Sequence, residues 1–85
     1  MKTKQEFQEK SEVLVEPVNW FIAENEWQYG LPIKSEIAWD RQEQEVVVQI
    51  QYKIDNENAV WEWRAKTIEQ MKDYIMSDML NLVEL

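Results

Sequence analysis

The chain has 85 residues, 45% of them apolar and 31% charged, a net charge of −8, and neither histidine nor cysteine. Such a composition folds as one domain, and at this length folding buries only about 60–65% of the unfolded surface, so the core is shallow. Without His or Cys there is no disulfide framework, no thiolate nucleophile, no zinc- or copper-type metal site and no imidazole for proton transfer, and no apolar run approaches the ~20 residues of a membrane span.

The opening segment MKTKQEFQEK carries lysines but no apolar h-region, so it does not read as a secretory signal, and a cytoplasmic protein is expected. Thr3 followed three residues later by Glu6 fits a capping box, which starts a helix near residue 4. Phe7, Leu14, Val18, Phe21 and Ile22 fall on one helical stripe. Pro17 interrupts it, because proline removes a backbone donor and crowds the preceding turn. Two forms fit: a kinked helix over 4–28, or a frayed segment over 1–16 followed by a firm helix over 17–28. The helix stops at WQYGLP, with Gly30 as the positive-φ residue past the end, Pro32 beyond it, and Leu31 folding back on the last turn.

The apolar period then changes from helical to two. Ile33, Ser35, Ile37 and Trp39 share one face of a first strand. Val46, Val48, Ile50, Tyr52 and Ile54 share one face of a second, which carries the strongest strand signal in the chain. The polar cluster DNEN at 55–58 reads as a turn. In AVWEWRAK, Ala59, Trp61, Trp63 and Ala65 share the apolar face of a third strand. A four-residue turn would pair Ile54 with Ala59, Tyr52 with Trp61, and Ile50 with Trp63. The polar face would then pair Gln51 with Glu62 and Gln49 with Arg64. Thr67 with Gln70 is a second capping-box pattern, opening a helix to about residue 83 with Ile68, Met71, Ile75, Met79 and Leu82 on its stripe. Tyr74, Met76, Leu80 and Val83 widen its apolar surface.

The expected fold is α+β with the order α-β-β-β-α: a three-stranded antiparallel meander with two helices packed on one face, as a single domain over 1–85. Double-stranded RNA-binding domains share this order, a likeness of topology alone. The last helix here opens without a lysine cluster, and the net charge has the wrong sign for nucleic acid.

No catalytic residue is assigned. Ser11, Ser35 and Ser77 have no base in evidence, one glycine cannot build a phosphate loop, and no spacing matches a calcium loop. No metal site and no cofactor are expected, and the chain reads as a non-enzyme. What remains is charge and aromatic surplus. Residues 1–10 carry +1, which leaves about −9 for the other 75. Glu9, Glu12 and Glu16, then Glu24 and Glu26, then Asp40, Glu43 and Glu45 space this charge along the chain. Gathered on one side, these acids would imitate a nucleic-acid backbone and occupy a basic groove.

Five Trp, three Tyr and two Phe exceed what a shallow core readily hides. Trp61 and Trp63 are placed in the core. Trp20 and Trp27 are seven apart, about 100° round the helix from the Phe7–Leu14–Phe21 stripe, and are placed at a partner surface. The partner-binding set is therefore Trp20, Glu24, Glu26, Trp27, Asp40, Glu43 and Glu45. The expected function is a small acidic protein-binding module. It would inhibit or modulate a larger, nucleic-acid-handling protein with a basic surface, as phage and mobile-element inhibitors do. The alternative is a self-associating accessory protein forming a homodimer. Neither reading involves direct nucleic-acid or membrane binding.

Overall fold

The computed structural model of the protein describes residues 3–83, with side chains described as far as Met79. Met1, Lys2 and the apolar positions Leu80, Leu82 and Val83 lie outside the described side chains. Helix α1 spans Lys4–Ser11, a 3-10 turn covers Glu12–Leu14, α2 spans Val15–Glu24, and the short α3 spans Glu26–Tyr29. Three strands follow, β1 over Lys34–Asp40, β2 over Glu45–Ile54 and β3 over Glu57–Ala65, and then α4 over Ile68–Val83. The strands form one antiparallel sheet in the order β1-β2-β3. The fold is α+β, as the change of period indicated.

Both N-terminal caps form. The Thr3 hydroxyl accepts the Glu6 N–H at 3.1 Å and the Thr67 hydroxyl accepts the Gln70 N–H at 3.1 Å. Gln70 also reaches back, its Oε1 accepting the Lys66 N–H at 3.1 Å. These bonds occupy donors that the first helical turn leaves without backbone partners.

The first helical region takes the kinked form of the two expected, a helical run over Lys4–Tyr29 with two interruptions. Pro17 lies in the first turn of α2, where a missing N–H costs no helical bond. The first break falls upstream of it, at the 3-10 turn that follows α1. A second break falls at Asn25, which is 1% exposed. Its Nδ2 donates to the Phe21 carbonyl at 2.8 Å, and its own carbonyl accepts from Gln28 and Tyr29. The helical path therefore bends without ending.

Gly30 does end it, with φ 75° and ψ −162°. That region is essentially closed to any residue with a Cβ. It differs from the left-handed helical cap because ψ is extended, and it throws the chain outward. Leu31 accordingly stays 71% exposed and does not fold back on the helix.

The β2–β3 hairpin differs from its expected register by two residues. Ile54 pairs with Glu57, Tyr52 with Ala59, Ile50 with Trp61, and Val48 with Trp63. The turn is Asp55–Asn56, with φ 54° and 66°. Two consecutive positive φ angles are the requirement of a type I′ turn, which suits the strand twist, and Asp and Asn tolerate them. A slip of two keeps every side chain on its own face, so the assignment of faces stands while the partners change. On the polar face Glu62 therefore meets Gln49, whose Nε2 donates to Glu62 Oε1 at 2.6 Å, and Arg64 meets Val47.

The core lies between the sheet and the helices. Phe7, Leu14, Val18 and Phe21 from the N-terminal helices meet Val46, Val48, Ile50, Tyr52, Trp63 and Ala65 from the sheet, with Met71 and Ile75 from α4. Phe21 is wholly buried, with its ring 4.8 Å from Trp63 in an edge-on arrangement and 5.2 Å from Trp61. Such ring pairs contribute about 0.5–1.5 kcal/mol beyond area burial. Trp63 Nε1 donates to Asp78 Oδ2 at 2.6 Å, which ties β3 to α4. No helix among the described residues is long and apolar enough to cross a membrane.

Candidate protein-binding surface

The residues singled out from sequence fall into two groups at opposite ends of the sheet. Trp39, Val46 and Ala65 form a cross-strand row at one end, beside the turn that holds Asp40, Glu43 and Glu45. Tyr52 is six residues further along β2, about 20 Å at 3.3 Å per residue, and Tyr29 of α3 packs on it at 5.3 Å. Trp27, Glu24 and Glu26 belong to this second end. The structure therefore does not gather the seven residues into one patch.

In the first group, Asp40 and Glu45 are engaged within the fold. Asp40 Oδ1 accepts the N–H groups of Gln42 and Glu43, at 3.0 and 3.2 Å, closing the turn. Asp40 Oδ2 lies 2.9 Å from Arg64 Nη1, Glu45 Oε1 lies 3.6 Å from the same nitrogen, and Glu62 Oε2 is 3.1 Å from Arg64 Nε. One guanidinium on the open face of the sheet thus holds three carboxylates. The hydrogen bond from Arg64 holds the Asp40 carboxyl below its ordinary value, and the turn N–H groups add to this. Glu62 is lowered first by the Gln49 amide and then by Arg64. Arg64 is the cross-strand partner of Val47, which is only 7% exposed although it stands outside the core cluster. Glu43 remains exposed at the turn.

The second group faces outward. The stripe through Phe7, Leu14 and Phe21 takes the core, which leaves Trp20 47% and Trp27 83% exposed. The two indoles stand either side of the break at Asn25, Trp20 on α2 and Trp27 on α3, and both lie outside the core stripe. Glu16 and Glu24, four residues either side of Trp20, are its neighbours on the outer face of α2, and Glu26 precedes Trp27. Tyr29 fixes α3 to the sheet through Tyr52 and Trp61, the latter at 6.1 Å, so Trp27 points away from it.

Leu31 and Ile33, 71% and 61% exposed, extend the apolar surface at this end. Sequence reasoning missed both. Leu31 fits a helix cap by sequence, but Gly30, with ψ −162°, does not form that cap. Ile33 has the parity of the covered face, and its N–H bonds the Gln51 carbonyl at 2.7 Å, but it lies beyond the reach of the helices. The Tyr52 hydroxyl, under Tyr29, is buried with no hydrogen-bond partner among the described residues. Burial raises its pKa above the ordinary 10.0.

Comparison with known proteins returns no matching family model, no matching curated protein and no matching solved structure.

Proposed function

We propose that this protein is a small, acidic, non-enzymatic binding module that docks on a larger protein through Trp20 and Trp27, and so inhibits or modulates it. The observation that carries the reading is Trp27, 83% exposed on a helix whose other side is pinned to the sheet. Burying that much indole contributes about 3–5 kcal/mol, enough to anchor an interface. Glu16, Glu24 and Glu26 around the indoles favour a partner with a basic surface, because complementary charge speeds encounter and rejects acidic competitors. Proteins that handle nucleic acids carry such surfaces, which makes them the target class and gives the module the character of a phage or mobile-element inhibitor. Trp27 stands at the Tyr52 end and Trp20 beside Phe21 over the middle of the sheet, so the partner meets acid-rimmed aromatic anchors in place of a long row of charge.

The test is paired affinity capture, with the wild-type chain and the Trp20→Ala, Trp27→Ala double variant as baits. The reading expects a protein retained by the wild type, lost from the variant, and weakened by Glu24→Lys with Glu26→Lys and by added salt. Identical captures from both baits would contradict it. A homodimer through the same patch is the second reading, favoured by the added apolar surface of Leu31 and Ile33. It expects a molar mass twice that of the protomer in light scattering, reverting to one in the double variant.

A further inference from the structure

A broad groove lies at the other end of the molecule, between α1 and the end of β1 with its turn. Phe7 and Trp39 form its aromatic floor, their ring centroids 6.1 Å apart. Its charged lining residues are Lys4, Arg41 and Lys66, with no acid among them. In a chain of net charge −8 this is a local reversal. Of the eight described cations, Lys10, Lys34 and Arg64 are ion-paired with carboxylates, and three of the remaining five line this groove. Lys66 donates to the Glu43 carbonyl at 3.2 Å, which sets it at the mouth of the turn. Of the acids of the first group, Asp40 and Glu45 are turned to Arg64, and Glu43, exposed at the turn, is not among the lining residues.

The second observation is the backbone. Ile37, Ala38 and Trp39 all line the groove. Successive strand side chains point to opposite faces, so three consecutive residues share a lining only along the strand's edge. β1 is an outer strand, with no strand paired on its far side among the described residues. Its outward N–H and C=O groups are a template for another strand.

We infer that this groove is a docking site for an extended acidic peptide segment, laid along β1 as a fourth strand with its carboxylates against Lys4, Arg41 and Lys66. The backbone of β1 supplies the alignment, the three cations select acidic side chains, and Phe7 with Trp39 takes an apolar side chain between them. The cations come from three separate segments, a spread that suits several carboxylates along a strand better than one compact anion.

The probe is a ten-residue peptide of alternating glutamate and valine, titrated into the full chain and followed by amide NMR. The proposal expects shifts at Ile37–Trp39, Arg41 and the Trp39 indole N–H, with slowed exchange of the outward β1 amides. It expects affinity to fall on the order of tenfold in the Lys4→Glu, Arg41→Glu variant, and to fall with salt. Both side chains are exposed and unpaired among the described residues, and the variant's dispersed amide spectrum checks its fold. Undiminished binding by that variant overturns the proposal, as does equal binding of a lysine–valine peptide. Inorganic phosphate reproducing the shifts, without exchange protection along β1, assigns a simple anion site instead. Protected β1 amides without peptide, at twice the protomer mass, assign the edge to a second copy. Loss of peptide binding in Trp27→Ala moves the peptide to the other end and overturns this site alone.

Discussion

Trp61 and Trp63 stand two residues apart on a strand and face the helices, whereas Trp20 and Trp27 stand seven apart on a helical path and face away from the sheet. The first pair shares one side of β3, the second is divided between α2 and α3, and the two pairs have opposite fates. On the strand, parity with Val48 and Ile50 carries both indoles under Phe21. On the helices, two stripes compete for one sheet, and the stripe of Phe7, Leu14, Val18 and Phe21 takes it. The lesson is that burial of an aromatic follows the register of its neighbours more than its own hydrophobicity. The indoles that lose that competition are left on the surface, with acids beside them.

This contrast can be broken most directly in the core. Trp63→Ala should destabilise the domain by about 3–5 kcal/mol, the range for removing a buried large aromatic. The variant also leaves Asp78 without its indole donor. Chemical denaturation reads the loss, and a change below about 1 kcal/mol would put Trp63 outside the core. Gly30→Ala sharpens the contrast from the other side. Nothing surrounds a Cβ at that position, so the whole cost is the backbone angle, about 1–3 kcal/mol. A neutral result in the same assay would mean that the chain leaves α3 by another path.

Tyr52→Phe has the opposite expected sign. It removes a buried hydroxyl with no partner among the described residues and keeps the ring on Tyr29. Its melting temperature should equal or exceed the wild type's, since an unsatisfied buried polar group costs about 1–3 kcal/mol. A clear loss would reveal a partner for that hydroxyl.

The smallest expected effect concerns Arg64, which holds the open face of the sheet. Asp40 and Glu62 have folded-state pKa values below their ordinary 3.8 and 4.5. The stability they contribute is therefore complete above those ordinary values and disappears as pH falls through the lower folded ones. Arg64→Gln should lower the melting temperature at pH 7, and the gap from the wild type should close as pH drops below about 4. These groups are solvent-facing, so the gap is small. A gap that does not vary with pH would exclude the carboxylates as its source.

Much of this was legible in sequence because period, caps and strand parity are local signals. Thr3, Thr67 and Gly30 marked helix ends, and the alternation from Val46 to Ile54 marked both the central strand and its buried face. Hairpin register was not legible. Asp55-Asn56-Glu57-Asn58 suits a four-residue turn by composition, but the two positive φ angles use only Asp55 and Asn56. The expected acidic patch was not legible either, because the spacing of charge along a chain does not tell which carboxylates an arginine elsewhere will collect. Arg64 draws in Asp40 and Glu45 from across the sheet. The cationic groove stayed hidden for the same reason, since Lys4, Arg41 and Lys66 meet only through the fold.

The central claim is that Trp20 and Trp27 are spare to folding and therefore free for a partner. Thermal unfolding of the Trp20→Ala, Trp27→Ala double variant, run beside Trp63→Ala, tests it most directly. The account predicts a double variant within about 1 kcal/mol of the wild type, the behaviour of surface substitutions, while Trp63→Ala loses several times more. A double variant that unfolds as early as Trp63→Ala would place those indoles in the core and leave the acidic end without its anchors.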